Sequence, residues 1–459
     1  MIRQAVLLFP EGAESTALVN RRVGGLGLLD RQVRTLVRAG IEHISIVLPI
    51  GSMPKLTKLT QRLPVQLEIT QRDQPPVLAH ADEPYLLLLG EYVHHHSSLT
   101  ELISTAPKQI SLVTYASPTP GQAGLLHQAA VGFEQLEEPS GDFSTGAFLC
   151  DPQLLPTEKL SASGADIWSY LADASTTALV IKRSEPALWR RVDLPRGARA
   201  AKNMLFGQVT KKTSGFVSRH INARISIPTS KLLVETGLSP HAITVFLVMT
   251  TGLSSAYLVG VAQDYSTLAL AGLLWQFAAI FDRCDGEVAR VKLCESKFGA
   301  WFDTVTDNIA YVCAYIGVLI GVQQRYPTQS IYLYIGLSAI GALFLTLFVM
   351  YSYARKTGSG SLQHYLRALT QELPDGEKGW VQKLMERYGF VAKRDFFSFY
   401  AFLALLANQL DLVYWFLVAI LHLAAAAVLL SQRKMMRSFQ LSQNEQRALA
   451  SDAAPKEKR

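Results

Sequence analysis

Cysteine is scarce: Cys150, Cys284, Cys294 and Cys313 are the only four in 459 residues. Their spacing makes neither a metal-ligand pattern nor a disulfide framework, which excludes a thiolate zinc module and a cystine-stapled domain and fits a reducing cytoplasm. The first residues lack a charged stretch followed by a short apolar core, so no secretory signal is expected. Met1 leads almost directly into Ala5-Val6-Leu7-Leu8-Phe9, which reads as a buried strand. A glycine-rich phosphate loop is missing as well. Phe9-Pro10-Glu11-Gly12-Ala13-Glu14-Ser15-Thr16 holds one glycine, a proline without an N–H donor and two glutamates that repel phosphate. Gly24-Gly25-Leu26-Gly27 has no lysine nearby and reads as a turn ahead of a helix.

What the chain does have is uneven. Strand-like and helix-like stretches alternate over about the first 200 residues, with strands expected at 6–9, 44–48, 85–89, 110–114, 147–150 and 179–182 and a helix at 28–39. Such alternation predicts an α/β, Rossmann-like soluble domain with a mostly parallel sheet. From Ala242 onward apolar runs of membrane-spanning length follow, and they predict an all-α domain of six transmembrane helices at 242–261, 267–284, 299–322, 331–353, 396–407 and 412–430. The divisions are 1–205 for the soluble domain, 206–240 for a basic amphipathic juxtamembrane segment, 241–434 for the membrane domain and 435–459 for a polar, disordered tail. The net charge is +7, and the excess collects near the membrane segments, at Arg190, Arg191, Arg196, Arg199, Lys202, Lys211, Lys212, Arg219 and Arg224. This placement favours anionic lipid headgroups as partners and not nucleic acid. Basic residues crowd 355–394 and 433–437, whereas the opposite loops offer only Arg325, so both termini are expected on the cytoplasmic side of the inner membrane. His94-His95-His96 invites a metal reading, but consecutive side chains point different ways, and a solvated loop is expected.

Between two apolar segments stands a constellation of carboxylates. Asp282 and Asp285 are three apart and Asp303 and Asp307 four apart, so each pair shares a helix face. Gly286 and Gly299 let the chain turn back between them. Four carboxylates at the edge of hydrocarbon are costly unless cations compensate them, and oxygen ligands suit one or two Mg²⁺ or Mn²⁺ ions. Arg290 can hold a phosphate oxygen, Gly286 and Ala289 leave room for a nucleotide near the helix backbone, and Asp307, deepest from the loop, is the candidate catalytic base. An ion pathway is the rival reading of the same aspartates, and it requires metal flux.

The pattern D-x2-D-G-x2-A-R-x8-G-x3-D-x3-D, from Asp282 to Asp307, resembles the signature of the CDP-alcohol phosphatidyltransferase family at every fixed position. The resemblance runs from about Lys211 to Lys434 and includes Leu238-Ser239-Pro240-His241-Ala242-Ile243-Thr244, where the family usually has Asn in place of His241. It implies transfer of a substituted phosphate from a CDP-linked donor to an alcohol, with CMP leaving. It further implies metal ligation by Asp282, Asp285, Asp303 and Asp307, a base at Asp307, and CDP contacts from Asp282, Gly286, Ala289 and Arg290. Arg224 and Arg394 become candidates for an acceptor phosphate, with membrane-surface anchoring as the alternative, and a homodimer is implied.

The first half resembles sugar-phosphate nucleotidyltransferases in Gly24 to Pro49, Leu87-Leu88-Leu89-Gly90-Glu91 and Ser144-Thr145-Gly146-Ala147-Phe148. Glu91 and Asp193 fall where that family has metal carboxylates. Together the halves resemble the bifunctional inositol-1-phosphate cytidylyltransferase and di-myo-inositol phosphate phosphate synthase family, implying a CDP-inositol-like donor and an inositol-phosphate-like acceptor. The altered 9–16 loop and Glu in place of Asp point to a retained fold with cytidylyltransferase activity lost. Synthesis of a phospholipid from CDP-diacylglycerol and a non-catalytic membrane scaffold with a nucleotide-binding domain are the alternatives.

Overall fold

The structure, a computed structural model, describes residues 2–11, 13–52, 56–104, 112–116, 144–153, 155–161, 179–183, 188–193, 196–210, 215–357 and 394–430. The basic residues 367–393, Lys211, Lys212 and the tail from 431 lie outside the described residues, as do the side chains of Arg355, Lys356 and Arg394. The chain forms two compact units. One comprises Met1–Val209 with Val234–Gly237 and Arg290–Cys294, and the other Thr210–Leu233, Leu238–Ala289 and Glu295–Arg459.

Among the described residues, the first unit is built on a seven-stranded sheet. Its strands are β1 (Gln4–Leu8), β2 (His43–Leu48), β3 (Gln66–Gln71), β4 (Tyr85–Leu89), β5 (Leu112–Ala116), β6 (Ser144–Cys150) and β7 (Leu179–Arg183), in the spatial order β7-β5-β6-β4-β1-β2-β3. All pairings are parallel except those of β6, which runs antiparallel to both neighbours. Ala5 and Leu7 join one apolar cluster and Val6 and Leu8 another, so both faces of β1 are covered. That burial explains an unbroken apolar run in place of alternation. Helix Leu28–Arg38 lays Leu28, Leu29, Val33 and Leu36 into the first cluster.

The Gly24-Gly25 pair is a turn, as expected. It joins the two-residue strands Arg22–Val23 and Leu26–Gly27, with φ of +56° and +78° that only glycine takes without strain. Edge strand β3 escaped the sequence reading because its side chains are mostly polar and solvent-facing. The expected solvated histidine loop is corrected. His94 ends the short strand Tyr92–His94, which pairs with Trp189–Arg191, and it is 4% exposed. Its Nε2 lies 2.8 Å from Thr145 O, and burial pushes its pKa down to about 4. His95 bonds Ser97 Oγ, and His96 opens helix His96–Ser104. This unit also secures the short segment 290–294: Arg31 Nη1 donates to Val291 O at 2.9 Å and Arg34 Nη1 to Lys292 O at 2.8 Å.

The second unit is helical. Four of the six expected spans are helices long and apolar enough to cross a membrane: Pro240–Val261, Lys297–Arg325, Ser330–Ser352 and Leu410–Leu430. The other two differ for physical reasons. Helix Tyr265–Val291 has 27 residues but carries the charged motif in its last third. Helix Arg394–Leu406 has 13 residues, about 20 Å at 1.5 Å per residue, against roughly 30 Å of hydrocarbon. The juxtamembrane segment is helical over 216–233. Its outward face carries Phe216, Ile225 and Leu232, which are 73%, 46% and 74% exposed, among Arg219, Arg224 and Lys231. Apolar and basic side chains together on an outward face suit a helix lying at a lipid surface.

Candidate metal centre

The two halves of the aspartate motif arrive on different helices. Asp282 and Asp285 lie on helix Tyr265–Val291, and Asp303 and Asp307 lie on helix Lys297–Arg325. Ser296 starts the second helix by accepting the N–H of Gly299 at 2.9 Å. Gly299 lies beneath His241, where an added Cβ would stand 3.3 Å from the ring Cε1. The His241 ring meets Phe298 and Phe302 edge-on at 5.6 and 5.3 Å.

Asp282, Asp285 and Asp303 converge. Each can offer a carboxylate oxygen such that all three atoms lie within 4.8 Å of one another. Asp285 is buried, and Asp282 and Asp303 are half-buried. Three like charges at this separation repel strongly in a low-dielectric setting, so the arrangement calls for a cation. An all-oxygen set is what Mg²⁺ or Mn²⁺ takes, and the residues therefore fit such an ion. Asp307 lies one helical turn beyond Asp303 and is not a member of that group of three.

Sequence reasoning missed Thr244. Its hydroxyl donates to Asp285 Oδ2 across 41 residues of chain and fixes the orientation of that carboxylate. It is the last residue of the quoted stretch from Leu238, which was the available signal. Gly286 and Ala289 follow Asp285 on the same helix, while Arg290 groups with the first unit. Arg224 is exposed on the juxtamembrane helix.

In the first unit Glu91 is 7% exposed, and burial raises its pKa to about 7. Asp193 is engaged by Arg191, with Nη2 at 2.7 Å and Nε at 2.8 Å. The backbone brings the two positions together through the Val192 N–H, which donates to Glu91 O at 2.8 Å. In the altered loop, Glu11 pairs with Arg72 at 3.6 Å, and Arg72 also donates to Phe9 O at 3.1 Å.

The CDP-alcohol phosphatidyltransferase family model matches residues 238–430. The bifunctional IPC transferase and DIPP synthase of Rubrobacter xylanophilus is 30% identical over 354 residues, covering 73% of this chain and 78% of that protein. The phosphatidylinositol phosphate synthase of Mycobacterium bovis is 32% identical over 104 residues, covering 23% of this chain and 46% of that one. Among solved structures, the inositol-1-phosphate CTP transferase from T. maritima covers 44% of this chain and 95% of its own, at 15% identity and a TM-score of 0.35.

Proposed function

Because this chain belongs to the CDP-alcohol phosphatidyltransferase family, we propose that its helical unit moves a substituted phosphate from a CDP-linked donor to an alcohol and releases CMP. The convergence of Asp282, Asp285 and Asp303 carries this reading. Together with Asp307 they would hold Mg²⁺ or Mn²⁺, which when bound supplies neutralisation of the pyrophosphate and of the leaving phosphate. Arg290 holds a phosphate oxygen, and Gly286 and Ala289 admit the cytidine diphosphate moiety, with Asp282 also in contact. Asp307 takes the proton of the acceptor hydroxyl as that oxygen forms its bond to the β-phosphorus. The bond from the β-phosphorus to the bridging oxygen breaks, and its electron pair departs with CMP.

The donor is a CDP-inositol-like molecule and the acceptor an inositol phosphate. Similarity to the Rubrobacter protein supports this, because a 354-residue alignment is longer than everything from Leu238 to the C-terminus and must run into the α/β domain. Arg224 and Arg394 are the cations offered to the acceptor phosphate. A second reading, CDP-diacylglycerol as donor, is supported by the similarity to the mycobacterial synthase. The α/β domain keeps a nucleotidyltransferase-like fold without the activity. The Glu11–Arg72 pair in the 9–16 loop supports that loss, because a triphosphate loop needs donors and not a carboxylate, and Glu91 and Asp193 are read as an eroded metal site. The domains are 1–205, 206–240 and 241–434, with six spans, both termini and the aspartates on the cytoplasmic side, and a homodimeric assembly.

CMP release by the full chain in liposomes decides between the donors. CDP-inositol and CDP-diacylglycerol are each offered with inositol phosphate, inositol, glycerol phosphate or lipid extract, in Mg²⁺ or Mn²⁺. Release from CDP-inositol alone supports the first reading, and release from CDP-diacylglycerol alone replaces it with the second. Absence of release from either contradicts both.

A further inference from the structure

The helix that carries Asp282 and Asp285 has a second polar face. Gln276, Arg283 and Glu287 lie on it, and Gln276 and Glu287 are buried at 7% and 0% exposure. At about 100° per residue, Arg283 and Glu287 both stand roughly 160° around the helix from Asp285. Neither is a fixed position of the aspartate motif, and neither faces the metal centre.

All but one of their partners come from the juxtamembrane helix, where Ser218, Asn222, Ser226 and Ser230 recur every four residues along one face, and the other is Thr210 ahead of it. Gln276 Nε2 donates to Asn222 Oδ1 at 2.8 Å. Arg283 spreads its guanidinium over three hydroxyls: Nη1 to Ser218 Oγ at 2.7 Å, Nε to Ser226 Oγ at 2.9 Å and Nη2 to Thr210 Oγ1 at 2.9 Å. Glu287 accepts from Ser226 Oγ at 2.9 Å and Ser230 Oγ at 2.8 Å, and its Oε1 lies 2.7 Å from Arg283 Nε. The far end of the seam is tied down as well, since Asp395 Oδ2 accepts the N–H of Ser218 at 3.0 Å. Gly215 makes that approach possible, because an added Cβ would stand 2.2 Å from the same oxygen.

Such a seam is an expensive way to hold two helices together. A buried ion pair gains little over apolar packing of the same volume, because both charges must leave water. What it supplies is a single register. An apolar face tolerates rotation of the helix, whereas turning this helix by one residue would strand Arg283 and Glu287 without their hydroxyls. The same rotation would carry Asp282 and Asp285 away from Asp303.

We infer that Arg283 and Glu287 are positioning residues, which fix the rotation of the motif helix against the juxtamembrane helix so that Asp282 and Asp285 meet Asp303 at one cation. The inference rests on the metal reading above, and its test separates the two. Mn²⁺ binding to the full chain in detergent is read by the electron paramagnetic resonance of free Mn²⁺, with the thermal midpoint measured alongside. Wild type, Asp303→Asn, Glu287→Gln and the double variant Arg283→Met/Glu287→Leu are compared. The double variant leaves no buried charge unpaired and carries the test if Glu287→Gln does not fold. Expected are binding by wild type, its loss in Asp303→Asn, and affinity about tenfold weaker or worse in the seam variants at a midpoint near that of wild type. Wild-type affinity in a folded seam variant would overturn the positioning role while leaving the metal reading intact. Failure of both seam variants to fold would make the seam structural and overturn the role equally. A folded wild type without Asp303-dependent binding would overturn the metal reading and this inference with it.

Discussion

Thr244 and Glu91 show how one side chain's surroundings decide its use. Thr244 orients Asp285 through a single hydroxyl. Thr244→Val is expected to lower kcat about tenfold, and Thr244→Ser to keep it, because partners that orient a metal ligand contribute on that scale. Equal kcat in the Val and Ser variants would remove Thr244 from the account. Glu91 carries the opposite situation, a carboxylate that burial leaves easier to protonate, with a pKa near 7 against an ordinary value of 4.5. The folded state then binds more protons than the unfolded state between those values, so this group's contribution to stability falls as pH rises through the window. Glu91→Gln should therefore leave the melting midpoint of the full chain unchanged near pH 4.5 and raise it above pH 7. Subtracting wild type at each pH cancels the opposing trend from His94, whose depressed pKa costs stability as pH falls below 6.5. A flat difference would contradict a carboxylate whose burial outweighs the nearby Arg191 and Arg72 charges.

Elements that were legible in the sequence are those whose signal is local. Strand β4 falls where its run of four leucines places it, and the aspartates were readable because spacings of three and four fall on one helix face. Elements held by distant partners were not legible. Tyr92–His94 and Trp189–Arg191 are three residues each and exist through pairing across nearly a hundred residues, so His94 looked like part of a polar loop. The serines of the juxtamembrane helix were overlooked because the apolar and basic residues on its outer face dominate the pattern, although one polar residue in every four is visible in the sequence. The Gly24-Gly25 turn was legible as a turn, but not the crowding around it: an added Cβ at Gly25 would stand 2.0 Å from Val234 O, at a φ of +78°. Gly25→Ala is expected to destabilise the full chain by at least about 1 kcal/mol from the left-handed backbone alone. An unchanged midpoint would rule out that turn geometry.

At the scale of the whole molecule, two tests bear on the proposed arrangement. In the proposed topology, Gln409 and Glu295 lie on opposite sides of the membrane. In a background lacking the four native cysteines, an impermeant maleimide should label Gln409→Cys in intact cells and Glu295→Cys only in inverted vesicles. The reverse pattern would invert the topology. The α/β domain is expected to release no pyrophosphate from CTP and inositol 1-phosphate, and release above background would restore the activity that the 9–16 loop argues against.

The most direct test of the central claim is Mg²⁺- or Mn²⁺-dependent CMP release by wild type and by Asp307→Asn, with CDP-inositol and inositol phosphate as substrates. The account expects release by wild type and a loss to background in the variant, with the melting midpoint preserved. Wild-type release by Asp307→Asn would contradict the assignment of the base and the mechanism built on it.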